Sequence, residues 1–176
     1  MKIRVGILTA PKIEFERREK TFLLKNVRIG IGFHWDRYED QEFEGELEIL
    51  KNADGTETAV NIIDLEDYLT SVISSEMSAS SNIELLKAHA VISRSWAIRA
   101  IKGPTPGPSL QRRGVVSRNT TGHVGYDVCA DDHCQRYQGI TRLSAAKENV
   151  RKAIEATWGL VIKDQSGQVC DARFYK

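Results

Sequence analysis

The chain has no run approaching the roughly 18 apolar residues that a membrane-spanning helix requires, and so no membrane span is expected in its 176 residues. It also lacks a charge excess. Twenty-five basic side chains face 24 acidic ones, a formal net charge of +1, which gives no whole-chain attraction to nucleic acid or to an anionic membrane surface. Three cysteines are too few for a disulfide scaffold, and their odd number leaves at least one unpaired within the chain. No glycine-rich phosphate loop, dinucleotide fingerprint, internal repeat or low-complexity tract occurs. Lys2 and Arg4 ahead of Val5 to Leu8 resemble the start of a signal peptide, but Pro11, Lys12 and Glu14 end the apolar run too early.

What is present reads as one α+β domain over residues 1–176, with a β-rich part about 1–63 and a motif-bearing part about 64–176. Period-two alternation runs through Ile3/Val5/Ile7, Val27/Ile29/Ile31/Phe33 and Phe43/Gly45/Leu47/Ile49. Asn52-Ala53-Asp54-Gly55 is a turn signal that makes residues 43 to 62 a hairpin, and the polar segment Glu39 to Glu42 reads as a connection. Two helical patterns follow. Asp64, Glu66 and Asp67 supply an N-cap and acidic first turn for one, and Ser81 and Glu84 fit a capping box for the other. Ile83, Leu86, Ala90, Ala97 and Ile101 mark the second helix's apolar stripe. Residues 103 to 122 read as a long loop carrying Arg112, Arg113 and Arg118, whose charges are expected to be solvated. A third helix is expected from about Ser144 to Thr157, stopped by Gly159, and then a hairpin through Gln165-Ser166-Gly167. The chain ends inside what reads as a strand, so truncation at the C-terminus is expected.

Two places hold chemistry-bearing side chains. Between the first two helices lies Ser74-Ser75-Glu76-Met77-Ser78-Ala79-Ser80-Ser81, one carboxylate among hydroxyls, where Glu76 reads as either a cap or a general acid. Farther on, His123, Cys129, His133 and Cys134 fall within twelve positions in a segment with little helical or strand character. Imidazole and thiolate are the ligands tetrahedral zinc prefers, and four would tie down a loop that has few apolar residues. A Cys129–Cys134 disulfide and two reduced buried cysteines are the other readings. His89 reads as a packed or hydrogen-bonded core histidine and Trp96 as core. Arg94, set among Val91, Ile92 and Trp96, needs a partner if buried, and a carboxylate from the preceding corner would supply one.

Three stretches in order carry a family resemblance. They are Ser75-Glu76-Met77; Leu86-Lys87-Ala88-His89-Ala90-Val91 with Arg94-Ser95-Trp96-Ala97-Ile98; and Cys134-Gln135-Arg136-Tyr137-Gln138-Gly139. Together they resemble the stage II sporulation protein D family, which includes amidase-enhancer proteins, over roughly residues 60 to 176. Ser74 stands where the family has proline, His89 where glutamine is common and Trp96 where tyrosine is usual.

The resemblance implies a lytic transglycosylase that cleaves between N-acetylmuramic acid and N-acetylglucosamine in peptidoglycan strands stripped of stem peptides. It implies that Glu76 is the general acid and then base, with Ser75, Gln135 and Tyr137 contacting sugar. It also implies Zn2+ held by His123, Cys129, His133 and Cys134, and work outside the cytoplasm. The partner is the glycan strand, with a cell-wall amidase as a second. The alternative it leaves is a wall-binding module that stimulates such an amidase without itself cleaving.

Overall fold

The computed structural model describes residues 1–78, 80–103, 121–141 and 147–172. It has the α+β architecture expected. A four-stranded sheet has the order β5 (Glu46–Lys51), β6 (Glu57–Asp64), β1 (Lys2–Ala10), β7 (Val128–Cys129), and a three-stranded sheet the order β2 (Phe15–Arg17), β3 (Thr21–Ile29), β4 (Arg37–Glu44). All pairings are antiparallel except β1 with β7. Helices α1 (Leu65–Glu76), α2 (Ile83–Lys102) and α3 (Lys147–Ala156) pack on one another. One apolar cluster joins strands and helices: Ile3, Val5, Phe22, Leu24 and Phe43 from the sheets, Leu69, Val72 and Ile73 from α1, Leu86, Ala90 and Ala97 from α2, and Val150 and Ala153 from α3.

The first third differs from the sequence reading in instructive ways. Residues 39–42, expected to be a connection, lie within β4. Asp40 pairs with Lys25 of β3 at 2.9 Å and Glu42 with Arg18, just after β2, at 2.8 Å, while Gln41 and Phe43 turn inward and are buried. Such a strand is hidden from a hydrophobicity pattern because cross-strand pairing, rather than apolar alternation, holds its outer face. Gly45, at φ +90°, separates β4 from β5, so the alternation from Phe43 to Ile49 belongs to two strands in two sheets. Ile31 and Phe33 are in the turn after β3 and are exposed.

The hairpin about Asn52–Gly55 forms as expected, closed by Asn52 N–H to Thr56 O at 2.8 Å. Asp64 caps α1 by accepting from the Glu66 N–H at 3.0 Å. The cap of α2 is Asn82 rather than Ser81: its Oδ1 accepts from Glu84 N–H at 2.8 Å, the shorter reach to the N2 position that Asn at the N-cap favours. The third helix is described from Lys147, its expected beginning at 144–146 lying outside the described residues. The hairpin after it contracts to a bridge between Lys163 and Val169 around Asp164–Gly167, with Asp164 Oδ1 accepting from Ser166 and Gln168 N–H. Arg112, Arg113 and Arg118 in the long loop and Arg173–Lys176 at the chain end also lie outside the described residues.

Arg94 fixes how α2 sits on α1. Its guanidinium is almost fully buried and forks onto Glu66, Nε to Oε1 at 3.0 Å and Nη2 to Oε2 at 2.7 Å. The partner therefore comes from the first turn of α1, one helix length before the corner expected to supply it. Arg94 Nη1 donates to Leu160 O at 3.2 Å and Ser95 Oγ accepts from Ile162 N–H at 2.8 Å, binding the segment after α3 to the same face of α2.

Candidate functional site

The last residue of α1 is Glu76, and the helix ends there because Met77 turns to extended geometry while its N–H still closes on Ile73 O at 2.9 Å. The apolar face of α1, from Leu65 to Ile73, is buried, so the helix delivers its terminal carboxylate to a fixed place at the edge of the core. The Glu76 side chain is 22% exposed. Each of its oxygens is held: Oε2 lies 3.0 Å from His89 Nε2, and Oε1 accepts from Arg136 N–H at 3.0 Å. Among the described residues its hydrogen-bond partners are an imidazole and a peptide group, neither of them an acid.

His89, read from the sequence as a packed or hydrogen-bonded core residue, is 2% exposed and its partner is the Glu76 carboxylate. The sequence holds one clue to this pairing, since a buried imidazole on an alanine-flanked helix face must find a polar partner. Nothing in it marks Arg136, whose contribution is made by the backbone.

Arg136 belongs to the loop that carries the histidines and cysteines. This loop reaches the sheet through β7, and Asp127 N–H donates to Arg4 O at 2.9 Å and Ala130 N–H to Gly6 O at 2.9 Å. Gly6 is required here: a Cβ would come within 2.5 Å of the Tyr126 ring. The donor atoms of His123, Cys129, His133 and Cys134 all lie within 4.8 Å of one another. His123 Nε2 is 3.4 Å from Cys134 Sγ, and His133 Nδ1 is 3.4 Å from Cys134 Sγ and 3.7 Å from Cys129 Sγ. A tetrahedron with metal–sulfur bonds of about 2.3 Å and metal–nitrogen bonds of about 2.0 Å has nitrogen–sulfur edges of roughly 3.5 Å. The four side chains fit a metal ion in donor chemistry and in spacing. Cys129 and Cys134 are not joined in a disulfide. Cys129 is moreover pushed from the ordinary thiol value of 9.0 down to about 4, first by its hydrogen bond with Cys134 and further by Asp131 and the two imidazoles, against the opposing effect of burial. It is a thiolate at neutral pH, the form that ligates metal.

Gln135 and Tyr137, expected to touch sugar, point into the interior and are 5% and 1% exposed. Gln135 Oε1 accepts from the Tyr68 hydroxyl at 3.1 Å, and the Tyr137 hydroxyl donates to Asn61 Oδ1 at 2.5 Å. Burial raises both phenols, which stay protonated as donors. These residues offer almost no surface to a ligand. Arg136, between the buried Gln135 and Tyr137, instead turns outward, its guanidinium 5.5 Å from the Trp35 ring and paired with Asp132 at 2.8 Å. Ser75, the third residue expected at sugar, lines a cleft of about 330 Å³ with Ser74, Trp35, Arg37, Arg136 and Gln138. The lining includes the residue before Glu76 and the residue whose N–H donates to it, but not Glu76 itself.

A family model described as SpoIID, stage II sporulation protein, matches residues 53–163. The matched segment contains Glu76, His89 and all four donors of the His/Cys cluster. No curated protein matches the chain.

Proposed function

The chain belongs to the SpoIID family of stage II sporulation proteins, a family with a cell-wall-related role in sporulation, and from that membership we propose that it is a lytic transglycosylase of peptidoglycan. The supporting observation is Glu76: one partly exposed carboxylate at the end of a helix packed on the core, held at both oxygens. In this reading Glu76 in its acid form gives its proton to the oxygen linking N-acetylmuramic acid to N-acetylglucosamine as the C1–O bond breaks. The muramoyl 6-hydroxyl then closes onto C1, and its proton passes to the Glu76 carboxylate. A 1,6-anhydro ring results, the acid is restored and no water is consumed. One carboxylate serves both steps, whereas glycoside hydrolases ordinarily use two; the partners of Glu76 suit the single-acid case.

His89 acts as a positioning residue. It fixes the plane of the carboxylate from the α2 side while Arg136 N–H fixes it from the loop side. The second clamp is only as rigid as its loop, and this gives the His/Cys cluster its role. Zinc is the ion suited to two imidazoles and two thiolates, and His123, Cys129, His133 and Cys134 would hold it. With four protein ligands such an ion is structural: it cross-links the loop whose residue 136 donates to the acid, two positions after Cys134. The substrate lies outside the cytoplasm. Among the described residues no helix is long and apolar enough to cross a membrane.

Incubating the protein with peptide-free glycan strands tests the reading. The wild type is expected to release anhydromuramoyl products, and Glu76→Gln to bind strands and release none. Binding without release by the wild type would instead favour a wall-binding module acting on a partner amidase.

A further inference from the structure

The peptide N–H of Arg136 is one of the two donors that hold Glu76, and the Arg136 side chain is itself held from a distant part of the chain. Its guanidinium lies 5.5 Å from the centre of the Trp35 ring, and its Nη2 donates to Asp132 at 2.8 Å. Asp132 belongs to the metal-site loop. Trp35 does not: it lies in the turn between β3 and β4, residues 30–36, outside the segment matched to the family.

That turn is built to a fixed shape. Gly30 has φ +70°, and a Cβ there would collide with Cδ1 and Nε1 of Trp35; only glycine lets the indole fold back onto the turn. Phe33 stacks on Trp35 with centroids 4.5 Å apart and planes 6° from parallel, and His34 meets the indole edge-on at 4.7 Å. Arg28 forks onto Asp36 at 2.9 and 2.6 Å, and Asp36 accepts in addition from Gly32 N–H at 3.3 Å. The residue after Trp35 is thereby tied to β3, and the ring is a preset platform for a cation.

The metal-site loop lacks close packing on this side. Residues 28–31 and residues 130–133 face each other across a cavity of about 320 Å³, so apolar contact does not seat that part of the loop on β3. The Trp35–Arg136 contact spans the same two elements, at the residue whose N–H reaches Glu76.

We propose that Trp35 is a positioning residue: its ring holds the Arg136 side chain and so keeps the Arg136 N–H aimed at Glu76 Oε1. The kinetic consequence rests on the transglycosylase reading; the brace on the loop does not. A metal would tie the loop at Cys134, and the indole ties it at Arg136 itself. A turn outside the family segment thereby sets how firmly Glu76 is held.

Residue-resolved hydrogen exchange by NMR on the full-length protein tests the brace without substrate. A cation–π contact corresponds to a factor of about two to thirty in an equilibrium. Trp35→Ala should speed exchange of the Arg136 amide by that factor while amides of the β1–β6 ladder keep their rates. Trp35→Leu, apolar but without a π face, should do the same, and Trp35→Phe should restore most of the protection. In an Arg136→Ala background, which keeps the peptide N–H and removes the guanidinium, Trp35→Ala should add nothing. On peptide-free strands, Trp35→Ala should lower kcat by at least twofold with KM nearly unchanged. Unchanged exchange at residue 136, full rescue by Leu, an equal effect in the Arg136→Ala background, or faster exchange throughout the ladder with both Ala and Leu overturns the brace. Faster exchange with kcat unchanged, or a change confined to KM, overturns the positioning role. If wild type releases no anhydro product while the exchange results hold, the transglycosylase reading fails and the brace stands. If wild type releases product and exchange at residue 136 does not respond, the brace alone fails.

Discussion

His89 Nε2 lies 3.0 Å from Glu76 Oε2, joining the middle of α2 to the last residue of α1 across a chain separation of 13 residues. Because the imidazole is buried and α2 is anchored by the Arg94–Glu66 fork, the carboxylate cannot turn without breaking this contact. We expect His89→Ala to lower kcat roughly tenfold to a hundredfold, the size of one charge-assisted hydrogen bond, with KM nearly unchanged. His89→Gln, whose amide can donate to the same oxygen, should recover part of the loss. Steady-state kinetics on peptide-free strands separates this positioning role from a purely structural one, which would lower stability and leave the Gln and Ala variants alike.

The metal-site loop reaches Glu76 through Arg136 N–H. Protein purified without added zinc should carry about one zinc per chain, as a four-ligand site holds a single ion. Stripping it should lower the melting temperature and the rate together, both restored by zinc. Cys129→Ser should reduce retained zinc by an order of magnitude or more.

Acid should release that metal. The Cys129 thiol is lowered in the folded protein from 9.0 to about 4, so the folded state binds fewer protons between those values. Its contribution to stability is fully present above the ordinary thiol value, diminishes as pH falls and is gone once pH passes below the folded value. Zinc retention followed with a chromogenic chelator should therefore decline as pH is taken from 7 toward 4, as the Cys129 thiolate takes up a proton.

Arg94 and Glu66 form the buried ion pair that seats α2 on α1. Arg94→Ala leaves the Glu66 carboxylate without its partner and should cost about 3–5 kcal/mol of stability, read as a shift in urea midpoint. Arg94→Lys should recover little of this, because one ammonium cannot reproduce the fork.

The sequence discloses those parts of the molecule whose cause is local. The corner at Glu76 is legible because helix caps and spacings bracket it, the hairpin about Asn52–Gly55 because a turn signal sits between alternating runs, and the His123, Cys129, His133, Cys134 group because its members fall in one short loop. The structure brings those four donors together. What stays hidden depends on distant partners. Strand β4 is concealed because Asp40 is matched by Lys25 on β3 and Glu42 by Arg18, just after β2. The inward turn of Gln135 and Tyr137 follows from Tyr68 and Asn61, more than 60 residues away in sequence. The N–H of Arg136 is invisible because every residue but proline has one. Trp35 reaches the cleft only through the folding of its turn about Gly30.

The central claim is that Glu76 passes a proton to the glycosidic oxygen and regains one from the muramoyl 6-hydroxyl, with no water entering the product. Mass spectrometry of fragments released from peptide-free glycan strands in 18O-labelled water measures this directly. The account predicts 1,6-anhydromuramoyl ends free of 18O from wild type, and a rate lower by about 10²–10⁴-fold from Glu76→Gln. Reducing muramoyl ends carrying 18O, or equal release by Glu76→Gln, would contradict it.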